Sequence, residues 1–215
     1  MNTGRIVGRR LSGVQLIITD WSGVISDDRH MVYESNMRLL EQYGESRRTF
    51  EEWLEASQLT CAAFLASVGL QLDPAIVAVE YPAMLTVLRS EGFRPTVYPD
   101  AHEFVCGVGG RRIVVVSSHP EGHLVAEADE YGLTNHIEHF SGSAVNKAEA
   151  ITRVLGTVPP AQALYMGDTI FDIQAAKQAG VTSVGIATGY HTKDRLVREA
   201  PDHVFGSLTE LLAEL

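Results

Sequence analysis

The chain has 215 residues, 45% of them hydrophobic, which is enough for one large domain or for a domain with a smaller insertion. Its formal net charge is −10, with 17 basic side chains against 27 acidic ones. We therefore expect neither nucleic acid nor a membrane among its partners, because sequence-independent binding to either needs clustered lysine and arginine. No apolar run in the sequence approaches the roughly 18 residues of a membrane span.

Four short apolar runs rich in valine and isoleucine recur along the chain, at 14–19, 112–117, 162–167 and 182–187. Each is too short for a helix, so we predict buried parallel strands. Helices are predicted at 120–131, 146–155, 171–179 and 207–214, and weaker strands at 137–141 and 202–205. This alternation predicts an α/β fold, a doubly wound, mostly parallel, Rossmann-like sheet.

The segment from 28 to 95 has a different character. Helical spacing with little strand character runs through Glu34–Tyr43, Arg47–Val68 and Pro74–Arg89. Its 68 residues are far more than a crossover between parallel strands needs. We therefore predict an inserted helical cap domain at 28–95 and a core domain made of 1–27 and 96–215.

The first candidate site residue is Asp20, which directly follows the first predicted strand in Asp20-Trp21-Ser22-Gly23-Val24. Ligands bind at the carboxyl ends of the strands in an open parallel sheet. A carboxylate placed there can attack phosphorus and form an aspartyl-phosphate, and Gly23 allows a tight turn near a bound anion. The alternative role for such an aspartate is to cap a helix or turn.

Two further motifs supply groups suited to phosphate. Ser117 closes the second apolar run, and its hydroxyl with the following N–H groups, starting at Ser118, could hold phosphate oxygens. Lys147, one of only three lysines, could neutralise charge on the same phosphoryl group. Taken alone, Ser117 would be a turn residue and Lys147 a solvated lysine.

An acidic motif follows the third apolar run, in Gly167-Asp168-Thr169-Ile170-Phe171-Asp172. Carboxylate oxygens are the ligands that magnesium prefers, usually a few of them together with several waters. Asp168 alone would be read as a helix cap, but the nearby Asp172 favours an acidic site. The sequence therefore predicts Mg²⁺ as cofactor, at the edge of the sheet that carries Asp20.

The order Asp20, Ser117, Lys147, Asp168 and Asp172 resembles the haloacid dehalogenase-like superfamily, whose members are mostly phosphatases. The resemblance covers nearly the whole chain, and Thr188-Gly189-Tyr190 and Pro201–Val204 resemble its phosphoglycolate phosphatase-like branch. It implies that Asp20 is the nucleophile and that Ser117 and Lys147 grip the phosphate. It also implies that Asp20, the Ser22 carbonyl and Asp168 hold the metal, supported by Asp172. The expected function is a magnesium-dependent phosphatase of a small phosphorylated metabolite.

Ser22 departs from that pattern. Most phosphatases of the superfamily carry a second aspartate there, which protonates the leaving oxygen and later activates water. Loss of such a group typically costs about 10²–10⁴-fold in rate. A substrate with a good leaving group, such as an acyl phosphate, pyrophosphate or aryl phosphate, would not need it. Alternatively, Asp27, His30 or His119 takes its place.

Other functions fit less well. A phosphonatase-like C–P hydrolase has a similar first motif, but it forms a Schiff base with a cap lysine, and 28–95 contains no lysine. Haloacid dehalogenases proper need no magnesium, and a phosphomutase needs the missing acid–base group. A weakly catalytic protein that binds a phosphorylated ligand or partner remains an alternative, although it has no need of a nucleophile.

The two cysteines, Cys61 and Cys106, are far apart and show no metal-ligand spacing, which favours free thiols in a reducing compartment. Arg5, Arg9 and Arg10 are not followed by an apolar segment of the signal-peptide type. We therefore expect a cytoplasmic protein. The sequence predicts neither the substrate nor the oligomeric state.

Overall fold

The computed structural model describes residues 11–215, so Arg5, Arg9 and Arg10 lie outside the described part. The chain divides into two compact units. The first comprises the described residues up to Ser26 together with Val97–Leu215, and the second is Asp27–Thr96. The second unit differs from the segment 28–95 by one residue at each end, and its role as a cap stays a prediction.

The strands are β1 (Leu16–Thr19), β2 (Ser26–Asp27), β3 (Thr96–Val97), β4 (Arg112–Val116), β5 (His139–Ser141), β6 (Ala163–Gly167), β7 (Thr182–Ile186) and β8 (His203–Phe205). The helices are α1 (Arg29–Gln42), α2 (Phe50–Ala56), α3 (Cys61–Ser67), α4 (Pro74–Ser90), α5 (Ala101–Gly107), α6 (Glu121–Glu130), α7 (Lys147–Leu155), α8 (Ile170–Ala179), α9 (Lys193–Arg198) and α10 (Leu208–Leu212). Short 3₁₀ turns cover Leu11–Gly13, Thr134–His136 and Pro160–Gln162. Within residues 11–215, every helix is too short or too polar to cross a bilayer.

Six strands of the first unit form one parallel sheet in the order β5-β4-β1-β6-β7-β8. The central strands are buried along their whole length, which explains why their sequences are continuously apolar rather than alternating. Neighbouring residues of β1 belong to different cores: Ile17 lies in one cluster of buried side chains, and Leu16 and Ile18 in another. The predicted doubly wound α/β sheet is confirmed.

The core strands and helices that were predicted are all present, with ends that differ by at most two residues. Helix α5 was not predicted, because it has only seven residues and lies between Pro99 and a glycine-rich turn. A signal for it existed. Ala101, Phe104, Val105 and Val108 are buried at the i, i+3, i+4, i+7 spacing of an amphipathic helix.

The second unit is helical, and the segment Arg47–Val68, which shows helical spacing in the sequence, contains a break. Two helices, α2 and α3, are separated at Ser57 to Thr60. The Ser57 hydroxyl donates to the Leu54 carbonyl, and the Thr60 hydroxyl accepts from the Ala63 N–H. These local side-chain bonds satisfy backbone groups at the helix ends and so stabilise the break.

Two glycines of the first unit provide a test of its backbone geometry. Gly180 ends α8 with a φ of 75°, a conformation that strains any residue with a Cβ, whereas Gly122 lies in α6 with open space around it. We expect Gly180→Ala to lower the free energy of unfolding by about 1 kcal/mol. We expect Gly122→Ala to raise it by about 0.5 kcal/mol. Denaturant unfolding of both variants checks this, and a change of the same sign in both would contradict it.

Candidate active site

Three buried aspartates converge at the carboxyl edge of the sheet. Asp20 follows β1, Asp168 follows β6, and Asp172 lies in the first turn of α8. One carboxylate oxygen from each lies within 4.8 Å of the other two. Because β1 and β6 are adjacent and in register, with Thr19 beside Met166, Asp20 and Asp168 leave the sheet side by side.

Lys147 joins two of these carboxylates. It is the first residue of α7, and its Nζ donates to Asp20 Oδ2 at 2.5 Å and to Asp172 Oδ1 at 2.6 Å. The side chain is only 11% exposed. Burial alone would lower the pKa of Lys147, but the charges of Asp172 and Asp20 raise it well above its usual value. The lysine is therefore a fixed cation inside an acidic cluster.

Asp172 is held from both sides. Its Oδ2 accepts the backbone N–H and the hydroxyl of Thr169, at 3.0 and 2.5 Å, and its own N–H donates to Thr169 Oγ1. This is a capping box at the start of α8. Its Oδ1 also accepts the hydroxyl of Tyr165 at 3.1 Å. Burial would raise the pKa of Asp172, but Lys147 and these hydrogen bonds lower it, so the side chain is a carboxylate.

The pKa of Asp168 is shifted in the opposite direction from that of Asp172. Asp168 Oδ2 accepts the backbone N–H of Tyr190 at 2.6 Å. Burial, and then repulsion from Asp172 and Asp20, raise the pKa of Asp168 well above its usual range. A single lysine thus offsets three carboxylates, and Asp168 is the one left poorly compensated.

Glycines surround the carboxylates at close range. A Cβ at Gly23 or Gly189 would lie 2.2 or 2.0 Å from Asp168 Oδ2, and one at Gly167 would lie 2.3 Å from the Asp172 Cβ. Any side chain at these positions would displace a carboxylate. Gly23 was predicted to approach a bound anion, and in the structure it packs against the Asp168 carboxylate. Gly189 was not identified as a site residue from the sequence.

Ser22 faces the loop that follows β7. Its hydroxyl donates to the Tyr190 hydroxyl at 3.4 Å, and the side chain is half-buried. The same loop contacts the turn after β1 a second time, where the Thr188 hydroxyl donates to the Gly23 carbonyl at 2.9 Å. Tyr190 was not named as a site residue from the sequence. The signal for it was its position just after β7, the strand beside β6.

Part of the chain that carries this site is similar to known proteins. A family model described as HAD-hydrolase-like matches residues 139–211, the segment that holds Lys147, Asp168 and Asp172. The phosphoglycolate phosphatase of Escherichia coli (strain K12) is 41% identical over 58 residues, which are 27% of this chain and 23% of that relative. The chain thus matches less than a quarter of the length of this curated relative.

Two solved structures resemble the chain over nearly its whole length. A haloacid dehalogenase-like hydrolase from Streptococcus pneumoniae has a TM-score of 0.79 at 17% identity, covering 94% of this chain and 98% of its own. A conserved haloacid dehalogenase-like protein from Agrobacterium tumefaciens has a TM-score of 0.79 at 20% identity, covering 93% and 96%. At these identities the likeness establishes the fold.

Residues 139–211 thus match the HAD-hydrolase-like family model, and the chain has the fold of the haloacid dehalogenase-like structures. The resemblance predicted from the order of the motifs is confirmed.

Ser117 is buried at the end of β4, the strand next to β1. Its backbone is tied on both sides, because its N–H donates to the Ser141 carbonyl and its carbonyl accepts the Ala144 N–H. The hydroxyl accepts the His119 N–H at 3.5 Å. Ser118 is exposed, and α6 begins only at Glu121.

The candidates for the missing acid–base group lie in different places. Asp27 and His30 belong to the second unit. Asp27 forms a bidentate ion pair with Arg29. The His30 ring stacks on Phe50, with ring centroids 4.7 Å apart. His119 belongs to the first unit, two residues after Ser117. Asp27 is therefore already engaged as the partner of a guanidinium.

The turn after β1 is anchored by Trp21, whose backbone N–H donates to Asp20 Oδ1 at 2.7 Å. The indole is fully buried, stacks on Tyr131 and donates to Glu127 Oε2 at 2.8 Å. Ser26 donates to the same carboxylate oxygen at 3.1 Å. Glu127 therefore fixes both ends of the turn that carries Ser22. No local pattern in the sequence distinguishes it from the other acidic residues of α6.

The residues of the cluster fit a hard divalent cation. Oxygen donors from three carboxylates meet within 4.8 Å, and burial together with repulsion from Asp172 and Asp20 raises the pKa of Asp168. Within residues 11–215, the Asp172 carboxylate accepts four hydrogen bonds, two on each oxygen, whereas the Asp20 carboxylate accepts two and the Asp168 carboxylate one. Asp20 and Asp168 are therefore the better direct ligands, and Asp172 is placed to hold Lys147.

We expect Asp168→Asn to make the metal-free protein more stable at neutral pH. The raised pKa of Asp168 means that its ionised form disfavours folding. This cost appears as the pH rises above 3.8, the usual value, and grows through the higher pKa of the folded state. Thermal unfolding in EDTA should show a higher Tm for the variant at pH 7, and the difference should vanish below pH 3.8.

The same variant should lose stabilisation by metal. Mg²⁺ at 100 times its Kd raises the free energy of unfolding by about 2.7 kcal/mol if it binds only the folded state. The control is Asp194→Asn, an exposed aspartate of α9, which should behave as wild type throughout. A variant that is less stable than wild type in EDTA would show that the Asp168 charge is already well compensated.

Proposed function

We propose that the protein is a magnesium-dependent phosphatase that transfers a phosphoryl group from a small phosphorylated metabolite to water, through an aspartyl-phosphate on Asp20. The observation that carries this proposal is the contact of Lys147 Nζ with Asp20 Oδ2 at 2.5 Å inside the buried carboxylate cluster. A cation fixed against a carboxylate at a strand end is suited to an incoming phosphate and has no structural purpose that an apolar contact would not serve better.

Asp20 would act as the nucleophile. The Trp21 N–H and the Lys147 ammonium each hold one of its oxygens, so the carboxylate is fixed in orientation before the substrate arrives. Attack forms a bond from a carboxylate oxygen to phosphorus as the bond to the leaving oxygen breaks, and water then hydrolyses the acyl phosphate. Asp172 would keep Lys147 in place to neutralise the phosphoryl oxygens.

Magnesium, held by Asp20, Asp168 and the Ser22 carbonyl, would supply positive charge at a phosphoryl oxygen. The Ser117 hydroxyl, with the N–H of Ser118, would bind another of these oxygens from the neighbouring strand end. Gly23 and Gly189 keep side chains away from Asp168 and so preserve room for the ion.

Ser22 favours a substrate whose leaving group departs without a proton, such as an acyl phosphate, a pyrophosphate or an aryl phosphate. The serine hydroxyl donates to the Tyr190 hydroxyl, and serine is not among the side chains that usually act as general acids or bases. The name of the Escherichia coli relative points instead to a phosphate ester, whose alkoxide needs protonation. The two possibilities therefore predict opposite rankings of hydrolysis rate between substrates with good leaving groups and phosphate esters.

A second candidate function is binding of a phosphorylated ligand or partner with little catalysis, and the absence of an acid–base residue at Ser22 is the observation that favours it. Such a protein would bind its ligand in a metal-dependent way and release no phosphate. A C–P hydrolase is less favoured, because the segment 28–95 supplies no Schiff-base lysine.

We expect phosphate release to require both magnesium and Asp20. Acetyl phosphate, pyrophosphate, an aryl phosphate and phosphoglycolate are assayed with Mg²⁺ and with EDTA. Asp20→Asn should lower kcat by at least about 10³-fold because the nucleophile is lost, whereas the surface control Asp194→Asn should not change it. Phosphate release that survives in both Asp20→Asn and Asp20→Ala would exclude Asp20 as nucleophile. No release from any substrate, with binding retained, would favour the second function.

Ser22→Asp should restore the missing acid. We expect it to accelerate hydrolysis of the phosphate ester by up to about 10²–10⁴-fold and to change acetyl phosphate hydrolysis little, because only the ester needs a proton on its leaving group. Ser22→Ala is the matched control and should resemble wild type on both. Equal effects of Ser22→Asp on both substrates would show that leaving-group protonation is not what Ser22 limits.

A further inference from the structure

A second group of metal-binding side chain types lies outside the carboxylate cluster. His102 and Cys106 are four residues apart on α5, so they share one face of that helix. His136 ends the 3₁₀ turn Thr134–His136. Cys106 Sγ lies 3.7 Å from His102 Nδ1 and 3.6 Å from His136 Nε2. All three side chains are exposed.

We propose that His102, Cys106 and His136 bind a divalent ion of the zinc class at a site separate from Asp20, Asp168 and Asp172. A thiolate with two imidazoles is a donor set that selects Zn²⁺ and similar ions, whereas Mg²⁺ requires oxygen. The two sites therefore differ in the chemistry of the ion that each takes.

The distances suit a shared ion. With Zn–S near 2.3 Å and Zn–N near 2.0 Å, the sulfur and nitrogen ligands of a tetrahedral zinc are about 3.5 Å apart. The two sulfur-to-nitrogen distances, 3.7 and 3.6 Å, are close to this value. The Cys106 sulfur is thus already at the distance from each histidine nitrogen that a shared tetrahedral ion requires. A water would be the fourth ligand.

The two histidine rings must come closer together to share one ion. The ring centroids of His102 and His136 are 6.4 Å apart, against about 5 Å for two imidazoles on one tetrahedral ion. Rotation of the two exposed histidine side chains would supply this change of about 1.4 Å. The frame beneath is firm, because Val105 of α5 and Leu133 and Ile137, which flank the 3₁₀ turn, belong to one core cluster.

Binding would convert the Cys106 thiol to a metal-bound thiolate and release one proton, so affinity rises with pH. The overall charge of −10 favours cations in general, and the thiolate adds the selectivity. The sequence spacing of the two cysteines did not reveal this site. The signal was His102-x-x-x-Cys106 on a short helix that was itself not predicted.

Titration of the untagged, reduced protein with Co²⁺ tests the proposal, with Mg²⁺ in excess to compete for oxygen-ligand sites. We expect the near-ultraviolet charge-transfer band of a cobalt–thiolate bond to saturate at one equivalent and to disappear when Zn²⁺ is added. Cys106→Ser should abolish the band. His102→Gln and His136→Gln should each lower the affinity for Co²⁺ by at least about 10-fold, since each removes a ligand.

Two matched variants serve as controls. Cys61→Ser removes the other thiol, in the second unit, and His139→Gln removes an exposed histidine on β5, and both should bind Co²⁺ as wild type does. The proposal is overturned if no thiolate band forms, if the band survives in Cys106→Ser, or if both histidine variants bind Co²⁺ with unchanged affinity. The readout is spectroscopic, so it does not depend on phosphatase activity.

Discussion

The electrostatic constraint on which the first unit depends is the crowding of three buried carboxylates around one ammonium. Lys147 contacts Asp20 and Asp172 at 2.5 and 2.6 Å, and burial together with the charges of Asp172 and Asp20 raises the pKa of Asp168. An arrangement of this kind does not contribute to stability as an apolar core would, because desolvating the charges offsets much of their attraction. A ligand that brings positive charge and takes oxygen donors, such as the proposed magnesium ion, would relieve this crowding.

The surrounding structure keeps this cluster in place with backbone and side-chain contacts. Thr169 caps α8 through Asp172, which in turn holds Lys147. On the other side, Trp21 orients Asp20 and is itself fixed by Glu127. The chain approaches the carboxylates most closely at glycines, where there is no Cβ to fill the space around Asp168. Preorganisation of charged groups before a substrate arrives is the main way in which such a site could lower a phosphoryl-transfer barrier.

The departure at Ser22 changes the chemistry without changing the scaffold. The serine lies in the turn between Asp20 and Gly23, and its hydroxyl donates to the Tyr190 hydroxyl. In the proposed function Asp20 is the nucleophile, Lys147 the phosphate-binding cation and Asp168 a metal ligand, so the group that is missing is the one that would protonate the leaving oxygen. Ser22 therefore favours substrates with a good leaving group. The contact of its hydroxyl with Tyr190 is visible only in the structure, and the family resemblance could not have predicted it.

The sequence by itself determined the parallel α/β sheet, the convergence of Asp20 and Asp168, and the place of Ser117 after a neighbouring strand, because apolar runs predict buried strands and parallel strands end at one edge. Helix α5 and the break between α2 and α3 escaped it, since short helices and side-chain caps leave weak periodic signals. Only the tertiary structure decided the long-range partners. Glu127 reaches Trp21 across 106 positions, and Cys106 meets His136 across 30. Such pairings depend on how whole elements pack, and local sequence patterns extend only over a strand or a few helical turns.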